Sequence, residues 1–243
     1  MNKFNKIVAI TASARTSGTG YSICKEILKT AKNTINTKTE LINLYQEDLK
    51  FCTGCFQCMS SGSCYIKDSF ETIKQKIYKA DAVIFCAPTY AGSYNAVMKN
   101  FIDRLGMYEV LTSSLAGKYL VCLSTAGSKR SAHKTAKQIA KTLGNGCFGR
   151  SYISSIKGFS VGPDDNKDPK RKAIQKGHHD LAKTIGKNLV SDIKSAKKYP
   201  WQNLANRAIA RFVMKPLFLK FIVNNKASRT KAVYQNLKFR GIV

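Results

Sequence analysis

The fold is decided by the stretch IVAITASARTSGTGY, residues 7–21. Its first four residues are apolar, and their number and β-branching predict a buried strand. Hydroxyl, small and glycine residues follow, after which apolar residues recur at helical spacing from Ile23. A strand, a hydroxyl-rich loop and a helix in this order direct unpaired backbone N–H groups at an anion, and Arg15 adds a charge that suits a phosphate. The alternative is an ordinary strand-to-helix connection with a Ser/Thr cap.

The rest of the chain continues this alternation of strands and helices. Four more apolar segments are predicted strands: 39–44, 82–87, 119–123 and 147–154. Predicted helices separate them, and a turn-rich connector over 159–167 leads to a last long helix from Pro169, with Ile174 on its inner face. The pattern predicts an α/β domain, a doubly wound five-stranded parallel sheet with helices on both faces.

Small-residue loops follow the first, third and fourth predicted strands, at 13–20, 88–93 and 124–128. Because the carboxyl ends of parallel strands meet at one edge, and ligands bind there at the switch point, we expect these loops to form one binding site. No GxGxxG follows the first strand, and the chain has no GxxxxGKS/T. These absences disfavour a dinucleotide-binding Rossmann site and a P-loop kinase.

Bulk properties narrow the class of protein. The 243 residues suffice for one domain plus an extension, and no signal-peptide pattern opens the sequence. No apolar run reaches the length of a spanning helix, about 18 residues. We therefore predict a cytoplasmic protein, in which the eight cysteines do not form a disulfide framework. Four of them, Cys24, Cys86, Cys122 and Cys147, lie in apolar segments and are predicted core residues.

Positive charge is concentrated in the last part of the sequence. The net charge is +27, and residues 197–243 hold eleven Lys or Arg and no Asp or Glu. We divide the chain into a domain over 1–198 and a basic, amphipathic helical extension over 199–243. The apolar stripe of the extension favours packing on the sheet domain or on a sister subunit over peripheral contact with an anionic membrane. Nucleic acid is not an expected partner, because the chain has no recognised binding motif.

Four segments together resemble the flavodoxin-like NAD(P)H-dependent FMN reductases and iron–sulfur flavoproteins. They are Thr11–Gly20, the spacing Cys52-x2-Cys55-x2-Cys58-x5-Cys64, Ala87–Ser93 and Lys99–Arg104. The resemblance covers residues 6–197 and implies the strand order 2-1-3-4-5, noncovalent FMN, NAD(P)H as co-substrate and a homo-oligomer. The first loop departs from the family's Gly-Ser-Pro-Arg and Gly-Asn-Thr, since it reads Ala-Ser-Ala-Arg at 12–15 and Gly-Thr-Gly at 18–20.

Carried over position by position, the resemblance implies three groups of FMN contacts. The phosphate of FMN would lie against Ser13, Arg15, Ser17, Thr19 and Gly20. One side of the isoalloxazine ring would be bracketed by Pro88, Thr89, Tyr90 and Gly92, and the other side by Thr125, Ala126 and Gly127. Tyr90 is able to stack on the ring. No catalytic acid or base is assigned, because the flavin performs the redox step. Asp103-Arg104 could equally be a surface helical pair, and no chemistry is assigned to it.

The four cysteines within residues 52–64, Cys52, Cys55, Cys58 and Cys64, leave three interpretations open. Their spacing resembles the iron–sulfur flavoprotein motif, and thiolates are the usual ligands of [4Fe–4S] clusters. A tetrahedral zinc ion fits the chemistry as well. In the third interpretation the thiols hold no metal, and they line the flavin pocket or are redox-active.

The sequence thus predicts an FMN-dependent oxidoreductase that passes electrons from NAD(P)H, or from a reduced electron carrier, to an unidentified acceptor. A different class stays open, a non-catalytic FMN and iron–sulfur protein that relays electrons between protein partners. The positive charge fits docking of an acidic carrier such as ferredoxin in either class. A third hypothesis, a scaffold or membrane-binding protein that has lost flavin affinity, depends on the altered residues 18–20.

Overall fold

The computed structural model describes residues 5–162 and 169–243. The predicted connector from Pro163 to Lys167 and the side chain of Ile174 lie outside the described residues. The strands are β1 (Asn5–Thr11), β2 (Thr37–Asn43), β3 (Ala82–Tyr90), β4 (Ser93–Tyr94), β5 (Tyr119–Ala126), β6 (Asn145–Gly146), β7 (Gly149–Arg150) and β8 (Tyr152–Ser160).

Helices alternate with these strands and then continue alone. They are α1 (Thr19–Thr34), α2 (Gln57–Ser61), α3 (Phe70–Tyr78), α4 (Ala96–Thr112), α5 (Lys129–Leu143), α6 (Pro169–Lys194), α7 (Leu204–Ile209), α8 (Lys215–Asn224) and α9 (Lys231–Phe239). A 3-10 turn at Leu44–Gln46 follows β2, and a π-helical turn at Ala210–Met214 joins α7 to α8. Among the helices described, none is both long enough and apolar enough to cross a membrane.

The main sheet is parallel and has the order β2-β1-β3-β5-β8. Counted over its five long strands, this is the predicted order 2-1-3-4-5, so the flavodoxin-like prediction is confirmed. The short β4 adds an antiparallel pair to the end of β3, through Thr89–Tyr94 and Tyr90–Ser93. The carboxyl ends of β1, β3 and β5 therefore lie side by side, which brings their loops to one edge.

Both faces of the sheet are covered by helices. Alternate residues of β1 point to opposite faces of the sheet. Val8 packs in the core with Phe70 of α3 and Phe101 of α4. Ile7 packs instead in the core that α1 and α6 complete. Burial on both faces explains why the strands read as continuous apolar runs. The four cysteines predicted as core residues, Cys24, Cys86, Cys122 and Cys147, are buried.

The fifth long strand begins later than predicted, at Tyr152 rather than Cys147. Residues 145–150 form a two-stranded hairpin instead, in which Gly146 pairs with Gly149. A Cβ on Gly146 would lie only 2.1 Å from Oγ of Ser113, so only glycine allows the hairpin to pack this closely on the end of α4.

The helices after α6 pack back onto the sheet domain. Arg150 donates hydrogen bonds to the carbonyl oxygens of Lys198 and Tyr199, at 2.8 and 2.9 Å. Further on, α9 buries Val233 and Leu237 in a third core, whose other members include Met59 of α2 and Leu111 of α4. The division of the chain at residues 198 and 199 stays a prediction.

Candidate functional site

The three small-residue loops meet in a cleft of about 370 Å³ at the carboxyl edge of the sheet, which we call the edge cleft. Eleven of the twelve residues predicted to contact FMN line it: Ser13, Arg15, Ser17, Thr19, Gly20, Pro88, Thr89, Tyr90, Thr125, Ala126 and Gly127. The twelfth, Gly92, lies at the adjoining turn between β3 and β4 and is not a lining residue. No carboxylate is among the described residues that line the cleft, so Arg15 gives it a positive charge.

The first loop presents the amino end of α1 to the edge cleft. The Ser13 hydroxyl donates to the carbonyl oxygen of Arg15 at 2.9 Å, and the Gly18 N–H donates to the same oxygen at 3.1 Å. Gly18 is the N-cap residue of α1, has no side chain to cap the helix, and no acidic residue lies in the first turn. The first N–H groups of α1 and the positive end of its dipole are therefore suited to an anion.

Gly20 lets α1 start directly against the strand ends. A Cβ at this position would lie 3.1 Å from Sγ of Cys86 on β3 and 3.6 Å from Cγ2 of Thr125 on β5. The first of these distances is tighter than ordinary packing, so a larger residue would push the helix end away from the sheet. Gly20 thus fixes the width of the edge cleft at its anion-binding end.

Two polar contacts hold the loops together. The buried Asn95 donates from Nδ2 to the carbonyl oxygen of Ala12 at 2.8 Å, while its Oδ1 accepts from the N–H of Met98 at 3.3 Å. One side chain therefore caps α4 and ties that helix to the first loop. Between β3 and β5, the hydroxyls of Thr89 and Ser124 are hydrogen-bonded at 2.9 Å. Asn95 was not predicted as a site residue, although the sequence carries a signal for it: a capping-type residue directly before a helical apolar stripe.

Tyr90 stands at the rim of the edge cleft with 56% of its surface exposed. The turn after it contains Ala91 with φ 48° and Gly92 with φ 80°, a left-handed pair that reverses β3 into β4. Two residues with positive φ are the usual connection of a tight hairpin. The geometry leaves the phenol ring free to cover a planar group in the cleft.

On the far side, three lining residues were not predicted: Val161, Gly162 and Gln175. Val161 follows β8, and its N–H donates to the carbonyl oxygen of Ala126 at 2.8 Å. Gln175 comes from α6, which packs on α1. Because the fifth strand was predicted to end at residue 154, the loop after it was not placed at the sheet edge.

The four clustered cysteines line a second cavity of about 340 Å³, which we call the cysteine pocket. Cys52 and Cys55 are exposed, whereas Cys58 and Cys64 are half-buried. Within the described part of the chain, no three Cys, His, Asp or Glu side chains converge on one metal ion. Zinc needs all its sulfur ligands about 2.3 Å from a single centre, so this arrangement does not fit a zinc ion. A four-iron cluster carries its thiolates on separate iron atoms, and a pocket of this volume with four thiols in its lining fits it.

Electrostatics show that the four thiols lie near each other. Burial raises the pKa of Cys58, and the thiols of Cys64, Cys55 and Cys52 raise it further, while the ammonium of Lys74 opposes them. Mutual repulsion of this kind is relieved when thiolates bind a cationic centre.

A buried ion pair holds the cysteine pocket to α4, and it rules out the surface-pair alternative for Arg104. Arg104 points inward and binds both carboxylate oxygens of Asp68, at 2.7 and 2.9 Å, with both side chains fully buried. Asp103 alone lies on the surface, paired with Lys99 at 2.6 Å. Burial would raise the pKa of Asp68, but hydrogen bonds from Arg104 and from the N–H groups of Lys50 and Phe70 outweigh burial and lower it.

Other polar contacts fix the ends of residues 52–64, which we call the cysteine segment. The N–H of Cys52 donates to Oδ1 of Asn100 at 3.1 Å, and the N–H of Cys64 donates to Oε1 of Glu71 at 2.7 Å. Lys74, which is buried, donates to the same Glu71 at 2.8 Å and to the carbonyl oxygen of Gly62 at 3.0 Å. The pocket therefore depends on side chains of α3 and α4.

Helix α4 connects the two cavities. Asn95 at its start contacts the first loop of the edge cleft, and Asn100 and Arg104 farther along contact the cysteine segment. At 1.5 Å of rise per residue, Asn100 lies about 8 Å and Arg104 about 14 Å from Asn95 along the helix axis. The two cavities are thus neighbours on one rigid element.

Comparison with known proteins agrees with this geometry. The family model described as NADPH-dependent FMN reductase matches residues 5–156. The chain is 29% identical over 165 residues to an iron-sulfur flavoprotein of Archaeoglobus fulgidus, covering 67% of this chain and 74% of the relative. It is 26% identical over 223 residues to an iron-sulfur flavoprotein of Clostridioides difficile strain 630, covering 90% and 94%.

A solved structure titled flavone reductase shares the fold, with a TM-score of 0.60 and 19% identity over 81% of this chain and 66% of that one. The matched residues 5–156 include the loops after β1, β3 and β5 as well as the cysteine segment. The family model covers more than half of the sequence, and the fold is the one that flavin reductases have. The chain belongs to the NADPH-dependent FMN reductase family of FMN-dependent oxidoreductases.

Proposed function

We propose that this protein is an FMN-dependent oxidoreductase. It takes electrons from NAD(P)H, or from a reduced carrier of the ferredoxin type, and delivers them to an unidentified acceptor. The observation that carries the proposal is the edge cleft, in which an uncapped helix terminus, Arg15 and two strand-end loops converge. The cytoplasmic location and the homo-oligomer stay predictions.

In the proposed complex, the phosphate of FMN lies at the amino end of α1. Backbone N–H groups there, the hydroxyls of Ser17 and Thr19, and the guanidinium of Arg15 bind it. The Ser13 hydroxyl joins them by turning from the carbonyl oxygen of Arg15 to the phosphate. Gly20 keeps the helix end close enough to the strands for this contact. Bound FMN supplies the hydride and single-electron chemistry, while the protein orients it and limits access of water.

The flavin ring lies between the loops after β3 and β5. Pro88, Thr89 and Tyr90 bracket one side, and Thr125, Ala126 and Gly127 bracket the other. Gly92 acts indirectly, because its positive φ forms the turn that positions Tyr90. Backbone N–H groups of these loops can bond the polar edge of the ring, and the exposed rim leaves room for a second, planar reactant.

We further propose that Cys52, Cys55, Cys58 and Cys64 hold a [4Fe–4S] cluster in the cysteine pocket. Three observations support this assignment: four thiols line one pocket, they raise the pKa of Cys58 together, and the relatives are named iron-sulfur flavoproteins. Such a cluster supplies single-electron transfer. Because α4 carries anchors of both cavities, a relay of electrons between protein partners is the second candidate function.

Anaerobic purification tests both cofactors together. We expect flavin absorption with a broad shoulder in the violet, one FMN per chain, and iron with acid-labile sulfide. A colourless protein that does not take up added FMN would overturn the proposal. A flavin spectrum without iron or sulfide would remove only the cluster.

The electron donor is tested by mixing the loaded protein with NADH or NADPH under anaerobic conditions. Rapid bleaching of the flavin is the result expected of an oxidoreductase. No bleaching with either nucleotide, combined with reduction by ferredoxin, would replace the enzyme with the relay protein. A matched variant, Arg15→Gln, should bind FMN more weakly and keep its iron, because Arg15 lines the edge cleft and not the cysteine pocket.

A further inference from the structure

A continuous helical segment over residues 204–224, made of α7, the π-helical turn and α8, presents an apolar face to solvent. The exposed fraction is 74% at Phe212 and 63% at Leu217. The exposed apolar residues recur at spacings of three and four, and we call them the apolar stripe: Ala205, Ala208, Ile209, Phe212, Val213, Pro216, Leu217 and Phe221. A continuous apolar row of this length is unusual, because the apolar residues of an ordinary protein surface are scattered singly.

The stripe is exposed although the segment is anchored to the protein. Ile222 is fully buried with Val233 and Leu237 of α9, and its carbonyl oxygen accepts a hydrogen bond from the Thr230 hydroxyl at 2.8 Å. Phe218 packs against the same core. The segment has therefore already buried one line of residues against its own domain. Its other apolar face needs a different partner.

A groove with positive side chains runs beside the stripe. It has a volume of about 640 Å³ and lies between the β6–β7 hairpin and residues 204–215. Four cations line it, Arg150, Arg207, Arg211 and Lys215, and none of its lining residues in the described structure is acidic. Arg150 and Arg207 are bonded to backbone carbonyl oxygens, whereas Arg211 and Lys215 are exposed at the edge of the stripe.

We propose that the apolar stripe and this groove form a docking surface for an anionic phospholipid bilayer. A helix with aromatic and aliphatic residues on one face and Lys or Arg alongside inserts its apolar face at the headgroup boundary and attracts anionic lipids. A second copy of the chain is the poorer occupant. Residues 197–243 carry eleven cations and no acid, so two such faces would repel each other.

The first experiment measures sedimentation of the full-length protein with vesicles. Equal parts of phosphatidylglycerol and phosphatidylcholine provide an anionic surface, and phosphatidylcholine alone provides the neutral control. We expect strong binding only to the anionic vesicles, weakening as salt is raised. No binding to anionic vesicles at low salt would overturn the proposal.

Variants separate insertion from simple charge attraction. The pair Phe212→Gln and Leu217→Gln should abolish vesicle binding, because it removes the two most exposed large residues of the stripe. Phe51→Gln is the matched control, since Phe51 is 76% exposed and lies outside the stripe. Equal loss in the control and the stripe variant would contradict the proposed surface.

Charge is tested with a second matched pair. Arg211→Gln with Lys215→Gln should weaken binding about 25-fold, at about fivefold for each cation near a lipid surface. Lys25→Gln with Lys29→Gln removes the same charge from the exposed side of α1 and should have a much smaller effect. If both pairs weaken binding equally, the attraction is a property of net charge and the docking surface is wrong.

Sedimentation velocity without lipid tests the competing occupant. We expect the mass of the wild-type chain to be unchanged by Phe212→Gln with Leu217→Gln. An oligomer that these substitutions dissociate, with vesicle binding intact, would assign the stripe to a second copy of the chain.

Discussion

The edge cleft and the cysteine pocket are built in different ways. The edge cleft is shaped by backbone, because loops at the ends of three parallel strands and one helix terminus form its walls. The cysteine pocket lies in a long loop held by charged side chains, mainly the buried pair Arg104–Asp68 and the buried Lys74 with the half-buried Glu71. The difference teaches that the first site follows from topology, whereas the second depends on a few side chains. This difference also predicts which substitutions should have the largest and which the smallest effects on the two sites.

The largest effect is expected from Arg104→Met. Removing one partner leaves the Asp68 carboxylate buried and unpaired, which should lower the free energy of unfolding by about 3–5 kcal/mol. Iron should be lost while FMN is retained under conditions where the protein stays folded. Urea denaturation and cofactor analysis measure both effects.

The surface pair on the same helix is the control for this substitution. Lys99→Met breaks an exposed pair at 2.6 Å with Asp103, and should cost less than about 1 kcal/mol. Equal costs for the two substitutions would contradict the difference between the sites. The lowered pKa of Asp68 adds a pH test, because its stabilisation is present above its ordinary pKa of 3.8 and should be lost as the pH falls through its lower folded-state value.

A second effect of charge on α4 concerns Glu109. Burial raises the pKa of its carboxyl from 4.5 to about 7, although the nearby Tyr78 hydroxyl, a hydrogen bond from the Leu115 N–H and the charges of Arg240 and Lys118 oppose the shift. The folded protein thus holds a proton that the unfolded chain has lost, so stability should fall as the pH rises from 4.5 to 7, by about 3 kcal/mol.

Glu109→Gln should remove that part of the pH dependence, because glutamine is neutral throughout. Urea denaturation at intervals across this range compares the two proteins. If the variant and the wild type lose stability in parallel, Glu109 is ionised in the folded state and the raised pKa is wrong.

Loss of positive charge in the edge cleft should lower the affinity for FMN but hardly change the free energy of unfolding. Arg15→Gln removes a charge-assisted contact to the proposed phosphate, worth about 1.5–3 kcal/mol, so the dissociation constant should rise roughly 10- to 100-fold. The free energy of unfolding without FMN should change little, since Arg15 is exposed. Fluorescence titration with FMN measures affinity, and riboflavin serves as the control ligand because it lacks the phosphate. Equal weakening for both ligands would place Arg15 away from the phosphate.

The smallest of these effects is expected at Gly20. Gly20→Ala places a methyl group 3.1 Å from Cys86 Sγ, and such overpacking costs about 1–3 kcal/mol, which a small shift of α1 can relieve in part. FMN affinity should fall with stability, since the shift displaces the helix end. Gly177→Ala is the control, because nothing lies within 4 Å of its Cβ position. An affinity as high as that of the wild type would show that the cleft tolerates a wider opening.

Much of the fold followed from local patterns. Continuous apolar strands separated by helices have few arrangements, and the small-residue loops at the ends of three strands predicted the edge cleft before any distance was known. Local periodicity could not separate Asp103 from Arg104, because neighbouring residues of a helix lie only about 100° apart. Their opposite directions depend on Asp68, which lies 36 residues earlier.

Long-range packing also hid part of the candidate site. Gln175 reaches the edge cleft only because α6 packs across α1, and the sequence around it has an ordinary helical pattern. The late start of β8 depends on Gly146 packing against Ser113, a contact between residues far apart in sequence. Spacing within the cysteine cluster defined the ligand candidates, but not the buried charges of α3 and α4 that hold them.

The burial of Val233 and Leu237 against Met59 has a consequence for how the molecule matures. Residues 62–230 separate α2 from α9, so during synthesis the sheet can assemble well before α9 covers the cysteine segment. The iron and sulfide of the proposed cluster would therefore meet an open, unprotected loop in nascent chains. Lesions in the α9 helix would then appear as defects in metal loading rather than in flavin uptake.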